Sequence, residues 1–296
     1  MMEIVVVSGK GGVGKTTVSA SLMLLLRRAG FRLVGADCDV DAPNLALVLP
    51  GEEERLRPIT ASEKAFINYG RCDGCGKCIP HCKFGALSDV GDRVSVYQFL
   101  CEGCGVCALV CPREAIEIRG VESGVVVTSR TRYGFPLVTG RLNMGEAGSG
   151  KIVTAVKAIA RKLAEDIKAD LLLVDGPPGV GCPVISSMAG AHQVVAVTEP
   201  TPAALHDLDR VLMVARHFKI PSAIIINKAD LHPSTRAKIL RYAEENNIEV
   251  LGEIPVDKAV PYSIARAKPV VDYAPESRAS AAIRSIMERL LQTTRP

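Results

Sequence analysis

Two groups of residues in this 296-residue chain have types and spacings that could do chemistry. Cys72, Cys75, Cys78 and Cys82 form a C-x2-C-x2-C-x3-C run, and Cys101, Cys104, Cys107 and Cys111 repeat it, with Pro112 after the last. Three thiols at this spacing can wrap one metal centre, and a fourth ligand must come from a distance. Paired C-x2-C units also suit tetrahedral zinc. Two uninterrupted four-cysteine runs and their internal duplication favour two four-iron clusters over zinc. In an exported chain so many cysteines would suggest disulfides. The strand-like start, Glu3 to Val7, has no basic region ahead of a long apolar stretch. No signal peptide is expected, the expected location is cytoplasmic, and the cysteines read as metal ligands. The second group is Gly9-Lys10-Gly11-Gly12-Val13-Gly14-Lys15-Thr16-Thr17, which contains G-x-x-x-x-G-K-T. Glycines in such a loop turn backbone N–H groups inward around phosphate oxygens, and the following helix adds its positive dipole end. Lys15 is expected at the terminal phosphates and the Thr16 hydroxyl on magnesium.

The elements that must position these residues follow from hydrophobic patterning. Glu3–Ser8 reads as a buried strand, Thr16–Ala29 as a helix closed by Gly30, and Phe31–Ala36 as a second strand, together one βαβ unit. Strand patterns return at Leu171–Val174, Val194–Val197, Ala223–Ile226 and Val250–Ile254. Helical patterns run from Ser149, read as a cap, to about Lys168, and over Pro202–Phe218 and Ser234–Glu245. The expected fold is α/β: a doubly wound, mostly parallel sheet of the P-loop type. Residues 61–120, rich in Cys and Gly, read as a small inserted α+β domain contributing nothing to the sheet, leaving 1–60 and 121–296 as one discontinuous domain. A final amphipathic segment, Ser277–Gln292, places Ala279, Ala282, Ile283, Ile286, Met287, Leu290 and Leu291 on one face, fit for packing against the sheet.

The second lysine, Lys10, makes the phosphate loop resemble the deviant Walker A motif of the MinD, ParA, Mrp and nitrogenase iron protein superfamily. The resemblance implies that Lys10 crosses an ATP-sandwiched homodimer to the partner's phosphates. Asp37-Cys38-Asp39 looks like that family's switch, which implies that Asp39 orients the attacking water and joins Thr16 and Asp175 in the magnesium set. The apolar run Leu171–Val174 ending in Asp175 resembles Walker B, which holds magnesium through a water. Gly176-Pro177-Pro178-Gly179 reads as a second, hinge-like switch. Asn227-Lys228-Ala229-Asp230 matches the N-K-x-D pattern that in GTPases reads guanine. By resemblance, Asn227 and Lys228, with a loop around Pro255, instead contact adenine, and ATP is the expected nucleotide. Lys10, Lys15 and Asp39 are the expected catalytic residues, and Gly11, Gly12, Val13, Gly14 and Thr17 line the phosphates.

The cysteine runs resemble those of two-cluster bacterial ferredoxins, in which the fourth Cys of each run serves the other cluster. That implies Cys72, Cys75, Cys78 with Cys111 for one 4Fe-4S cluster, and Cys101, Cys104, Cys107 with Cys82 for the other. Gly74, Gly76, Gly103 and Gly105 permit the tight turns between ligands. Lys83 stands where proline usually follows the fourth cysteine. Cys182 lies seven residues after Asp175, an offset like that of a bridging-cluster ligand in the nitrogenase iron protein. The second cysteine such a cluster needs is not at its matching place, and Cys38 and Cys182 read as buried structural thiols. Gly145-Glu146-Ala147-Gly148-Ser149-Gly150-Lys151 begins like a second phosphate loop, but Ile152 stands where a magnesium-binding hydroxyl belongs. The five histidines form no ligand pattern.

Composition removes other classes. Hydrophobic residues at 48% and charged residues at 23% fit an ordinary globular protein. Aromatics at 4%, no Trp and a net charge of +4 argue against a nucleic-acid surface. No apolar run approaches the roughly 18 residues of a membrane span, and no stable membrane anchor is expected. The combined expectation is an ATP-hydrolysing iron–sulfur protein, slow and partner-stimulated, that serves electron transfer or metal-cofactor assembly with an unidentified partner protein. The alternatives are an Mrp-type cluster carrier, although the C-terminal C-x-x-C of those carriers is missing, and a MinD-like spatial regulator.

Overall fold

The computed structural model describes residues 1–146 and 148–293. From the N-terminus the chain forms β1 (Met2–Ser8), α1 (Lys15–Arg28), β2 (Leu33–Asp37), α2 (Leu45–Val48) and β3 (Gly51–Ile67). Next come β4 (Leu87–Asp89), β5 (Val94–Val96), α3 (Val106–Leu109), β6 (Ile116–Thr131) and β7 (Pro136–Leu142). A regular alternation follows: α4 (Ser149–Asp166), β8 (Leu171–Pro178), α5 (Cys182–Met188), β9 (Gln193–Thr198), α6 (Pro202–His217), β10 (Ser222–Asn227), α7 (Pro233–Glu245) and β11 (Glu249–Ile254). Three helices close the chain: α8 (Ala259–Ala265), α9 (Val270–Tyr273) and α10 (Arg278–Thr293).

Among the described residues, nine strands make one sheet in the order β11-β10-β9-β1-β8-β2-β7-β6-β3. The strands from β11 to β7 are parallel. Successive side chains of β1 point to opposite faces, and both faces are apolar: Val5 and Val7 enter one core, Ile4 and Val6 the other. This two-sided burial requires helices on both faces. Helices α4, α5, α6 and α7 cover the first face, and α1, α9 and α10 cover the second. The expected terminal helix packs as its pattern required, with Ala279, Ile283, Ile286 and Leu290 buried and Ala282, Met287 and Leu291 against the same core. Among the described residues, no helix is long and apolar enough to cross a membrane.

The sequence reading misses the far edge of the sheet. β7 runs parallel to β2, and then β6 and β3 add antiparallel strands, paired from Gly51↔Thr131 to Ile67↔Ile116. These long strands start in the main sheet and run without interruption into the segment expected to stand apart from it. Their charged and Gly-containing sequences hid the pattern, because β3 from Gly51 to Pro58 is exposed. It is an edge strand, and Pro58 and its charged side chains discourage pairing with another chain. Arg141 and Arg130 bind Glu53 and Glu54 across it, at 2.7 and 3.0 Å. Register shifts at Thr60 are held by Ser123, whose Oγ accepts from the Ala61 and Ser62 N–H groups at 3.1 and 2.8 Å. Beyond it a small separate core contains Ala65, Cys78, Ala86, Leu87, Val94, Cys101 and Ile116.

The start of α4 differs from expectation. Its N-cap is Gly148 in the left-handed region, with no side-chain cap bond, and Ser149 is the first helical residue. Ala147 lies outside the described residues.

A buried ion cluster ties β1 to the helices behind it. Glu3 accepts from Lys157 at 2.8 Å and from Arg161 at 2.6 Å, and Lys157 also donates to the carbonyls of Ser187 and Ala189. Removing one partner of such a cluster strands the others in a dry interior. We expect Lys157→Met to lower stability by about 2–3 kcal/mol in chemical denaturation, with Arg161 retaining part of the pairing to Glu3.

Candidate nucleotide site and cysteine pockets

The parallel order sets three strand ends side by side. β8 lies between β1 and β2, with Val6↔Asp175 and Asp37↔Asp175 in register. The crevice beyond the carboxyl ends of such strands is where open α/β sheets bind ligands. Here it is a cleft of about 560 Å³ lined by the phosphate loop (Gly11, Gly12, Gly14, Lys15, Thr16, Thr17) and by Asp39, Asp41, Asn44, Leu47, Pro177, Pro178 and Ile264.

Lys15, nearly buried, sits at the focus. Its Nζ is 3.1 Å from Asp175 Oδ1 and 3.5 Å from Asp39 Oδ2. Burial alone would lower its pKa, but Asp175, Asp39 and Asp37 outweigh that and raise it. Asp175 is saturated: Oδ2 accepts from Thr16 Oγ1 at 2.8 Å, and Oδ1 also accepts from Ser19 Oγ at 2.7 Å. Asp37 is fully buried and accepts from the N–H groups of Asp39 and Leu45 at 3.2 and 2.9 Å. Burial and the nearby Asp175 push its pKa well above the carboxylate range. Burial raises that of Asp39 as well, against the pull of Lys15. Sequence reasoning missed Ser19, one turn beyond Lys15 and Thr16 on α1, and gave Asp37 no role. The first is recoverable from helical spacing; the second needed the fold.

Gly14 has φ +93°, and a Cβ there would overlap Asn227 Nδ2, which donates to Val13 O at 2.7 Å. The loop after β10 therefore clamps the phosphate loop from behind. Asp230 accepts from Val256 N at 2.7 Å and Ala229 N donates to Ile254 O at 3.0 Å, so the Pro255 loop is fastened to the Asn227 loop. Asn227, Lys228 and Pro255 stand beside the cleft rather than on the lining just described. Lys10 is also off that lining. Its Nζ is 2.7 Å from Glu199 Oε1 and 3.2 Å from Thr201 Oγ1. Glu199 also binds Lys228 at 2.8 Å; burial pushes its pKa up, but the hydrogen bonds from the two lysines prevail and leave it low. No motif marked Glu199.

The eight cysteines divide between two cavities. Cys72, Cys75, Cys78 and Cys111 line one; Cys82, Cys101, Cys104 and Cys107 line the other. Each cavity thus takes three thiols from one run and one from the other. Gly74, Gly76, Gly103 and Gly105 all have positive φ and make the turns between them. Backbone N–H groups of Ala65, Ala86 and Ala115 donate to the sulfurs of Cys101, Cys82 and Cys111, each at 3.3 Å. Among the described residues, no three His, Cys, Asp or Glu side chains converge closely enough to hold a single metal ion. Four thiols lining each cavity provide a donor set for a thiolate-held metal centre. Of the other cysteines, Cys38 is fully buried and its thiol is pushed up by burial. Cys182, expected to be buried, is exposed at the start of α5, because that helix begins at the surface end of β8.

A parallel sheet with a glycine-rich loop at the tip of its central strand defines a P-loop nucleotide-binding protein. More narrowly, the chain belongs to the CobQ/CobB/MinD/ParA nucleotide binding domain family, whose profile matches residues 4–270. It is a nucleotide-binding ATPase of the MinD/ParA kind. An uncharacterized protein of Methanocaldococcus jannaschii is 37% identical over 294 residues, covering 98% of this chain and 96% of that one. The iron-sulfur cluster carrier protein of Pyrococcus abyssi is 24% identical, covering 98% of this chain and 85% of its own length. The septum site-determining protein MinD of Pyrococcus horikoshii, solved with Mg-ADP, shares the fold at TM-score 0.61 and 19% identity, over 98% of this chain and 95% of that one.

The raised carboxyls give a titration signature. Burial raises Asp37 and Asp39 above ordinary carboxyls, and a bound cation favours their ionised forms. Magnesium-nucleotide binding is therefore expected to release protons, and more of them as the pH is lowered. Calorimetry in two buffers of different ionisation enthalpy measures this, and Asp39→Asn should reduce the release.

Proposed function

We propose that this protein is a slow ATPase carrying two 4Fe-4S clusters, in which ATP-driven pairing of two copies is coupled to electron transfer or to metal-cofactor assembly. The observation that supports it best is the segregation of eight thiols into two cavities of four, each mixing the two runs. That is the ligand exchange known from two-cluster ferredoxin sequences. When bound, the clusters supply one-electron transfer. The cysteines hold them as thiolates, and the N–H donors at Cys82, Cys101 and Cys111 stabilise negative charge on sulfur.

At the nucleotide site, Gly11, Gly12, Val13, Gly14 and Thr17 surround the phosphates with backbone N–H groups. Thr16, Asp39 and Asp175 would hold magnesium, and Thr16 Oγ1 donates to Asp175 at 2.8 Å. Lys15 neutralises charge on the transferred phosphoryl group, and Lys10 does so from the partner copy. Asp39, 3.5 Å from the Lys15 ammonium, orients the attacking water. Asn227, Lys228 and Pro255 frame the adenine. Association with a redox or cofactor-assembly protein belongs to the same proposal. A cluster-carrier function is the second reading, favoured by the carrier name of the Pyrococcus abyssi relative and by the exposure of Cys75 and Cys104.

Anaerobically prepared protein should contain about eight irons per chain and show two interacting four-iron signals in electron paramagnetic resonance after reduction. Cys111→Ala, although in the second run, should disturb the centre held by Cys72, Cys75 and Cys78; zinc in place of iron would overturn the cluster assignment. Lys10→Ala should abolish ATP hydrolysis while leaving iron content unchanged. Reduced protein that passes its clusters to an apo-acceptor within minutes would favour the carrier reading.

A further inference from the structure

Glu199 occupies an unusual position, at the end of β9 just before α6. Only 8% exposed, it bridges two lysines that belong to different loops. Lys10 comes from the phosphate loop and Lys228 from the loop after β10, and each contributes its Nζ to a separate oxygen of the one carboxylate. Thr201, the N-cap of α6, adds a second acceptor for Lys10. Lys228 Nζ also donates to Gly12 O at 3.1 Å, and its backbone has φ +53°, in the left-handed region where a non-glycine residue is strained. Gly9 lets this arrangement close, because a Cβ there would overlap the backbone of Asp207 on α6. The result is a clasp between the phosphate loop and the start of α6, with Lys10 satisfied inside its own chain.

We propose that Glu199 is a positioning residue that latches Lys10 within its own chain, so that pairing of two copies around ATP requires this ion pair to open. The inference rests on the cross-dimer role of Lys10 proposed above. To reach the partner's phosphate oxygens, the Lys10 ammonium has to leave the position it holds 2.7 Å from Glu199 and 3.2 Å from Thr201. Breaking a short, partly buried and charge-assisted pair sets a threshold on pairing. Glu199 keeps Lys228 neutralised after Lys10 leaves, so the carboxylate is never stranded.

The test uses the full cluster-loaded chain and two readouts. The first is acetylation of Lys10 by limiting acetic anhydride without nucleotide, followed by mass spectrometry. Glu199→Gln should speed labelling of Lys10 about three- to fivefold over wild type, as expected for loss of a partly exposed ion pair, and Glu199→Asp should restore slow labelling. The second is the concentration of a non-hydrolysable ATP analogue at which half the protein is dimeric in analytical ultracentrifugation. Glu199→Gln should lower it by a similar factor while ADP affinity stays within about twofold. Unchanged Lys10 labelling, or a variant that needs more analogue to pair, would overturn the latch. A wild-type chain that never pairs would overturn the dimer reading instead, a result separable from the labelling outcome.

Discussion

One lysine and the carboxylates around it govern the nucleotide end of this molecule. Lys15 has almost no access to solvent, and its charge is tolerable only because Asp175, Asp39 and Asp37 surround it. The reverse also holds: Asp37 and Asp175 are fully buried and depend on Lys15 and on backbone or hydroxyl donors. This mutual need fixes the ends of β1, β2 and β8 relative to each other. Each strand contributes through a different segment, so the phosphate loop, the Asp39 loop and the Pro177-Pro178 turn are registered on a single charge. Three carboxyl groups face one ammonium here, so a cation arriving with a polyanionic nucleotide meets acidic groups able to receive it.

The cysteine-bearing segment has a different physical basis. Its core is small, and two of its seven buried members, Cys78 and Cys101, belong to the thiol sets. Segments of this size are marginal on their apolar burial alone, and metal ligation adds folding free energy where it occurs. In the proposed loaded form the centres are thus part of what holds the segment together. The exchange of Cys82 and Cys111 between the cavities interlocks its two halves, so order in one favours order in the other.

Much of this was legible in the sequence because local chemistry dictated it. The Gly9–Thr17 loop, the alternation of apolar strands with amphipathic helices and the terminal helix all carry patterns set by neighbouring residues. The structure places Lys15, Thr16 and Asp39 around one cleft, with Asp175 bonded to two of them. What could not be read is non-local. β3 is an exposed edge strand whose charges obscure any period, and its identity depends on pairing with β6 more than sixty residues away in several of its rungs. Glu199 and Thr201 gain meaning only when the sheet brings the end of β9 beside the phosphate loop. Cys182 looked structural because burial could not be inferred for a residue following a turn of prolines and glycines.

The β3–β6 ribbon gives the molecule a mechanical character. It contains 17 and 16 residues, a span of roughly 50 Å for extended strands, and its rungs are paired from one end to the other. A tether of this kind behaves as a stiff cantilever rather than as a swivel. The cysteine-bearing tip can twist and bow with the sheet edge, but independent tumbling would require the ladder to be broken. By lever geometry alone, a small rotation at the fixed end of such a ribbon would give a larger excursion at its free end.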